Sequence, residues 1–265
     1  MFHDDALASE MPAAQPMEEP AEEPRREWQL LDLVLGGLLL LMGVAVVLAI
    51  TFGAASVGLS ARRDPGAALL FAIVTLAFEA WAGVAVLLVV RRRGLSLRDL
   101  GFVLPASVEA HVRWWSYVLF AVMGGYLAQI AYVLVMWVIE QLTGADVSRF
   151  TAGNRLPDEL RGSPAVWVVL GLSVMVAAPL GEELFFRGLV FRALGVRLPL
   201  WLAFLVSGFA FALMHFNIAV VVPFTIIGMI FAWAYRASGS LWTTVAAHAI
   251  FNTVSFVVTI LKLAP

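Results

Sequence analysis

The sequence contains no cysteine and has few charged residues. Without Cys, the chain of 265 residues can form no disulfide, supply no thiolate to a metal and use no cysteine nucleophile. Only 14% of the residues are charged, whereas a soluble domain has about 25%. The hydrophobic fraction is 62% and the mean hydropathy is +0.91. Several nearly uncharged runs reach the roughly 18 residues that cross a bilayer core. We therefore predict an all-α, polytopic transmembrane helical bundle.

The first 27 residues differ in composition from the rest of the chain. Residues 1–27 are rich in Pro, Glu and Ala and hold eight of the 19 acidic residues. A segment with so little apolar surface cannot offset the entropy lost on ordering, so we predict a disordered, acidic, Pro-rich tail. Its acidic start is also unlike the basic n-region of a signal peptide. Residues 28–265 are predicted to form the transmembrane domain.

The apolar runs predict about seven spans, with eight as the alternative. The spans are expected over residues 30–54, 66–90, 114–139, 164–194, 200–215, 219–235 and 241–263. Residues 95–102 are expected to form a short helix along the headgroups, and residues 143–163 a solvated loop. Pro179 is expected to bend or loosen the fourth span. No internal repeat is visible, so an inverted-repeat transporter gains no support.

The basic residues predict the orientation of these spans. With the amino terminus in the cytoplasm, eleven of the 17 Lys and Arg residues fall on the cytoplasmic side. The expected site then faces the cytoplasm as well. Because the arginines lie between apolar runs, as membrane topology requires, we expect no nucleic-acid partner.

Polar residues inside the apolar runs are the candidates for chemistry, because ionisable groups in hydrocarbon usually mark function. In Glu182-Glu183-x-x-x-Arg187, the arginine is four residues after Glu183 and shares its helix face. We expect those two to pair as a supporting contact. Glu182 points elsewhere, has no local partner, and is the candidate general base. The alternative is an ion-pair cluster at a helix end.

Two further motifs lie on later spans. His215 ends the fifth span, where a lone histidine is more often a packing or interface residue than a ligand. His248 and Asn252 are four residues apart on one face of the last span, which indicates either a shared site or an interhelical polar clamp worth roughly 1 kcal/mol. Glu79, in the middle of the second span, is interpreted as a buried carboxylate between helices rather than a catalytic group.

Two mechanisms fit these residues. In the first, Glu182 and His215 deprotonate a water, and His248 with Asn252 donates hydrogen bonds to the oxyanion. In the second, a Zn²⁺ held by Glu182, His215 and His248 activates the water. The His-Glu-x-x-His zinc helix is absent and asparagine is a poor zinc ligand, so we favour no cofactor and keep Zn as the alternative. No Gly-x-Ser-x-Gly elbow supports serine chemistry.

The three motifs, in this order and spacing, closely resemble those of the CPBP family, also called the ABI family. This family comprises CAAX prenyl proteases and bacteriocin-processing or self-immunity proteins. The motifs are Glu182-Glu183-x-x-x-Arg187, Phe211-x-x-x-His215 and His248-x-x-x-Asn252. The resemblance covers about residues 95–260, the expected protease core. It implies an intramembrane endopeptidase, metal-dependent or glutamate-type, in which the first glutamate and first histidine handle water and the last pair stabilises the oxyanion.

The resemblance also sets expectations for location and partners. It implies a multi-pass protein of a bacterial-type plasma membrane, and the segment 95–102 is typical of bacterial members. The expected partners are the lipid bilayer and a membrane-associated peptide or protein substrate, which the sequence does not identify. The alternative is a non-catalytic membrane immunity or scaffold protein that keeps the polar cluster for helix packing.

Overall fold

The computed structural model describes residues 28–60, 64–152 and 163–261. Within these ranges the chain is helical and has no strand, as predicted. The α-helices are α1 (Leu30–Ser56), α2 (Pro65–Arg93), α3 (Val108–Thr143), α4 (Ser148–Thr151), α5 (Pro164–Leu172), α6 (Ala178–Glu183), α7 (Arg192–Gly195), α8 (Leu200–Leu213), α9 (Ile218–Ser238) and α10 (Leu241–Ile260). A 3₁₀ turn covers Leu97–Leu100, and π-helical turns cover Ser173–Ala177 and Leu184–Phe191. The predicted disordered tail, residues 1–27, lies outside the described residues.

Six helical runs in the described part of the chain are long and apolar enough to cross a bilayer. They are α1, α2, α3, α9, α10 and the continuous run Pro164–Gly195, called the central run below, which joins α5, α6 and α7 through the two π turns. Helix α8 is apolar but has only 14 residues. The predicted polytopic helical bundle is therefore confirmed, and the seven expected spans are six long helical runs and one short helix.

Helix α3 extends beyond the predicted span at both ends. The prediction placed its start at Trp114, but the helix begins at Val108 and continues to Thr143. Ser107 explains the early start, because its hydroxyl accepts a hydrogen bond from Ala110 N at 3.1 Å and caps the first turn. The first turn is too polar to be recognised from hydropathy, although it is helical.

The two connections that flank α3 also differ from the predictions. The expected interfacial helix over residues 95–102 is a 3₁₀ turn of four residues, Leu97–Leu100. The expected loop over residues 143–163 contains the short helix α4, and residues 153–162 lie outside the described part. Tyr132 holds α4 against α3, because its hydroxyl donates to the Phe150 carbonyl oxygen at 3.0 Å.

The central run continues through Pro179, where the sequence predicted that the span is bent or loosened. Pro179 lies in the first turn of α6, directly after the π turn Ser173–Ala177. A π turn widens the helix and changes the hydrogen-bond register, so a proline, which lacks the N–H, is tolerated just after it. The second π turn, Leu184–Phe191, has all eight residues buried and forms the centre of the apolar core.

Helices α8, α9 and α10 complete the bundle around the central run. Helix α8 packs closely on α9, because Gly208 faces Gly228 and a side chain at either position would overlap the opposite backbone. Asn217 caps α9, with its side-chain oxygen accepting a hydrogen bond from Ala219 N at 2.9 Å. Helix α10 ends at Ile260, whereas the prediction continued to Leu263, a residue outside the described ranges.

Hydrogen bonds bring several predicted cytoplasmic segments to one end of the bundle. The Arg192 guanidinium donates to the Asp99 carbonyl oxygen and to the Tyr235 hydroxyl, the latter at 3.1 Å. The Arg197 guanidinium donates to the Trp28 carbonyl oxygen at 3.1 Å. The start of α1, the 3₁₀ turn, α7 and the end of α9 therefore share one end, as the distribution of basic residues requires. That this end faces the cytoplasm stays a prediction.

Candidate active site

The first motif places two consecutive glutamates of the central run in different surroundings. Glu183 is 0% exposed, and so is Arg187. The Arg187 Nη1 donates to Glu183 Oε1 at 2.8 Å, and Nη2 donates to the Gly228 carbonyl oxygen of α9 at 3.1 Å. The structure thus contains the expected Glu183–Arg187 ion pair. It lies within the bundle rather than at an exposed helix end.

His248 of α10 joins this ion pair, and we call Glu183, Arg187 and His248 the packed group. His248 Nδ1 lies 3.0 Å from the same Glu183 Oε1 that Arg187 contacts. An ionised carboxylate can only accept hydrogen bonds, so the hydrogen in this contact is on Nδ1 of His248. Nε2 is then the ring nitrogen that is left for other contacts. This link between α10 and the central run joins residues of two separate motifs.

Aromatic rings surround the guanidinium of the packed group. The Arg187 Cζ lies 4.7 Å from the ring centroid of Phe211 and 5.3 Å from that of Phe231. Cation–π attraction at these faces adds to the attraction of Glu183. The two attractions together offset the cost of burying the Arg187 and Glu183 charges, which is several kcal/mol per ion. Loss of one partner would leave the other as an uncompensated buried charge.

The second set of polar side chains, Glu182, His215 and Asn252, is called the open group. All three are half-buried and line a cavity of about 420 Å³. This cavity is lined by α1, α2, the central run, the turn after α8, α9 and α10. Oε2 of Glu182 is buried and has no hydrogen-bond partner within the described residues. A buried carboxylate oxygen without a donor is costly, and in native proteins such atoms call for an explanation.

A second and smaller cavity connects the two groups. Its volume is about 50 Å³ and its polar lining consists of Glu182, His215, His248 and Asn252. The structure therefore brings together, from three separate motifs, the four side chains that were predicted to be catalytic. Glu183 and Arg187, the predicted supporting pair, do not line this cavity, and they contact it through His248.

His215 lies in the turn that follows α8, because the helix ends at Leu213, two residues before the predicted end. Its Nδ1 lies 3.1 Å from the Phe211 carbonyl oxygen. A carbonyl only accepts, so Nδ1 carries the hydrogen and Nε2 is an acceptor in the neutral ring. The next residue, Phe216, has a φ of +48°, a left-handed conformation that bulky residues rarely adopt. Such strained residues are common at functional sites.

Asn252 is one turn beyond His248 on α10, and both line the smaller cavity as their spacing predicts. The Asn252 Nδ2 donates to the Val174 carbonyl oxygen at 2.9 Å. Val174 belongs to the π turn Ser173–Ala177, so this irregular turn of the central run positions the amide. The second hydrogen on Nδ2 remains for the cavity.

Sequence reasoning missed one member of the larger cavity. Glu79 was interpreted as a buried carboxylate between helices, but it is half-buried and lines the cavity together with Glu182. Gly181 explains this placement, because a side chain there would overlap the Glu79 carbonyl oxygen of α2. The two backbones are in contact. The one signal in the sequence was the position of an ionisable residue in mid-span.

The alternative zinc centre stays a prediction. Among residues 28–60, 64–152 and 163–261, no group of three His, Asp or Glu side chains is placed so that it could hold a metal ion. The three ligands expected for zinc, Glu182, His215 and His248, line one small cavity, and the contact of His248 Nδ1 with Glu183 leaves Nε2 for other contacts. The steps proposed below use protein side chains alone.

Fold and site together define a polytopic helical membrane protein with a polar, carboxylate-containing cavity among its helices. Residues 164–254 match the family described as "Type II CAAX prenyl endopeptidase Rce1-like". This region holds all three motifs and both polar groups. The resemblance to the CAAX protease family, predicted from those motifs, is thereby confirmed for the part of the chain that forms the site.

One curated relative matches this chain over a segment about as long as the family match. The protein described as "Putative membrane peptidase YdiL" of Bacillus subtilis (strain 168) is 32% identical over 90 residues. The match covers 34% of this chain and 36% of that protein, so the chain spans about a third of the length of this relative. No solved structure matches the chain.

Proposed function

We propose that this protein is an intramembrane endopeptidase that hydrolyses a peptide bond of a membrane-associated peptide or protein. One observation carries the proposal: the Glu182 carboxyl group, whose buried Oε2 has no hydrogen-bond partner within the described residues, lines one cavity with His215, His248 and Asn252. The family match over residues 164–254 supports the same class of reaction.

The proposed first step is activation of a water molecule by Glu182 and His215. Nε2 of His215 accepts one hydrogen bond from the water, because Nδ1 already donates to the Phe211 carbonyl oxygen. The Glu182 carboxylate accepts the second hydrogen as a proton, and the water oxygen attacks the peptide carbonyl carbon. General-base catalysis of this kind contributes about 10²- to 10⁴-fold to a rate.

The oxyanion that forms is proposed to accept hydrogen bonds from His248 and Asn252. The Asn252 amide can donate its second N–H while the first stays on the Val174 carbonyl oxygen. His248 donates from Nε2 when the ring carries hydrogens on both nitrogens, because Nδ1 already donates to the Glu183 carboxylate. Glu183 therefore acts through His248 and is a positioning residue. The proton taken by Glu182 then passes to the leaving amine.

The proposed substrate enters from the membrane, and the proposed chemistry needs no metal. The family description names CAAX prenyl substrates, so a farnesylated peptide with a carboxyl-terminal CAAX sequence is the first probe. The cavity of about 420 Å³ is lined mostly by apolar side chains, which suits an apolar peptide. Activity should persist after treatment with a chelator, and the purified protein should contain less than one equivalent of metal.

The test is cleavage by the full chain reconstituted in liposomes. The farnesylated CAAX peptide and a library of apolar membrane-associated peptides are incubated with the protein, and products are identified by mass spectrometry. Glu182→Gln should abolish cleavage because it keeps the shape of the side chain but removes the base. Glu140→Gln is the matched control, because Glu140 is an exposed carboxylate of α3 outside both cavities. Equal cleavage by wild type and Glu182→Gln would refute the assignment.

A further inference from the structure

A second carboxyl group lies in the cavity that holds Glu182. Glu79 of α2 lines this cavity of about 420 Å³ together with Glu182 of the central run. Both side chains are half-buried, and both sit inside helical runs that are long and apolar enough to span a membrane. The mechanism outlined above uses Glu182 and assigns nothing to Glu79.

Close backbone contact fixes the two carboxyl groups in this position. On the α2 side, Glu79 and Gly83 are one turn apart, and both contact Gly181, the residue before Glu182. A side chain at Gly181 would overlap the Glu79 carbonyl oxygen, and a Cβ at Gly83 would lie 3.5 Å from Gly181 Cα. With the backbones touching, neither helix can move its carboxyl group away without losing this packing.

The larger cavity itself offers these carboxyl groups no arginine or lysine as a partner among the described residues that line it. The titratable groups that face it are Glu79 of α2, Glu182 of the central run and His215 after α8. In the adjoining packed group, Arg187 already pairs with Glu183, and His248 contacts the same carboxylate.

Two carboxylates in one apolar cavity repel each other, and such pairs normally keep one proton between them. Oε2 of Glu182 is buried without a donor, and a carboxylic acid in the same cavity can supply one, directly or through water. We propose that Glu79 and Glu182 form a carboxylic acid–carboxylate pair that shares one proton and gives the cavity a single negative charge.

In this pair, Glu79 is a positioning residue for Glu182, the proposed general base. A role of Glu79 in catalysis therefore rests on the proposed peptidase function. The shared proton supplies a hydrogen-bond donor to the Glu182 carboxylate and orients it towards the water. Two coupled carboxyl groups lose their protons in two steps that belong to the pair.

The test measures the protons without measuring peptide cleavage. Dicyclohexylcarbodiimide, which reacts with protonated carboxyl groups in apolar surroundings, is applied to the full chain in liposomes over a range of pH. The modified residue is identified by mass spectrometry of peptides. In the wild type, labelling at Glu79 or Glu182 should persist to neutral pH. In Glu182→Gln, labelling of Glu79 should be lost about one pH unit lower or more, the coupling at which two sites titrate as a pair.

The reciprocal variant tests the same coupling from the other side. Glu79→Gln should lower the pH at which Glu182 loses its label, because Glu182 then shares no proton with a second carboxyl group. Glu140→Gln should shift neither. If Glu79→Gln does not fold, Glu182→Gln alone decides, because it retains Glu79. If the pH dependence of Glu79 labelling is unshifted in Glu182→Gln, the proposed carboxyl pair is wrong, even if the protein cleaves peptides. If the labelling is shifted but the protein cleaves no peptide, the pair is supported and the proposed peptidase function is refuted.

Discussion

Glu182 and Glu183 are neighbours in the chain and belong to two contrasting polar environments. In the packed group, Glu183 is fully buried, and one of its oxygens contacts both Arg187 and His248. In the open group, Glu182 is half-buried, lines a cavity and has no partner for its buried oxygen. The central run therefore places Glu182 at the cavity and the next residue, Glu183, in the protein core.

The two environments suit two different roles of a buried charged residue, stabilisation of the fold and chemistry at a site. The packed group links the central run to α9 and α10 through charge-assisted hydrogen bonds, so its loss should be seen in stability. The open group lines a cavity instead of linking helices through an ion pair, so its loss should be seen mainly in activity. Four substitutions test this division, from the largest expected effect to the smallest.

Glu183→Gln should give the largest loss of stability. The substitution leaves the Arg187 guanidinium buried and unpaired, and breaking a buried pair from one side costs about 3 to 5 kcal/mol. The free energy of unfolding can be measured by steric trapping in bicelles. The double variant Glu183→Gln with Arg187→Met should recover part of the loss, because no charge is left unpaired. A double variant as unstable as the single one would contradict the role of the ion pair.

Asn252→Ala should act mainly on the open group, because loss of its hydrogen bond to the Val174 carbonyl oxygen costs only about 1 kcal/mol of stability. Removal of one oxyanion donor lowers kcat by about 10²- to 10³-fold in other hydrolases. The measurement is cleavage of whichever peptide the wild type cleaves, with KM determined separately. If the unfolding free energy falls by as much as in Glu183→Gln, Asn252 serves packing through the Val174 carbonyl oxygen instead.

Gly181→Ala should affect both groups, because Gly181 lies at the contact of α2 with the central run. Its new methyl group would overlap the Glu79 carbonyl oxygen, and overpacking of this kind costs about 1 to 3 kcal/mol. Separation of the helices would also move Glu182, so activity should fall. Gly195→Ala is the matched control, since nothing lies within 4 Å of a Cβ there. Equal effects of the two substitutions would argue against tight packing at Gly181.

Tyr126→Phe should have the smallest effect of the four. The Tyr126 hydroxyl donates to the Phe251 carbonyl oxygen at 2.8 Å, and the two rings stack with centroids 4.4 Å apart. Phenylalanine keeps the stacking and loses one hydrogen bond, worth about 1 kcal/mol. The melting temperature should drop slightly and cleavage should be unchanged. A large loss of cleavage would show that the α3–α10 contact is also part of the open group.

Local spacing made part of this site predictable. Glu183 and Arg187 are four residues apart, as are His248 and Asn252, and helix geometry alone puts each pair on one face. The long apolar runs likewise predicted the bundle, because each membrane-spanning helix needs about 20 consecutive apolar residues. These predictions depend on interactions within one helix.

The remaining features depend on contacts between helices, which no local pattern contains. The contact of His248 with Glu183 and the place of Glu79 beside Glu182 follow from how three helices pack. The two π turns of the central run arise where buried side chains and the Asn252 amide meet the helix, so hydropathy indicated only a continuous apolar run. The early end of α8 was missed for the same reason.

Helix α8 has a consequence for the surrounding lipid. Its 14 residues rise about 21 Å, whereas the bilayer core is about 30 Å thick. A helix of this length that begins at one headgroup level leaves the turn that carries His215 within the bilayer core, where backbone groups need water or protein partners. Asn217 supplies one, since its side-chain oxygen accepts a hydrogen bond from Ala219 N at 2.9 Å. Hydrophobic mismatch on this side would thin the bilayer locally and shorten the distance that water travels to the cavity.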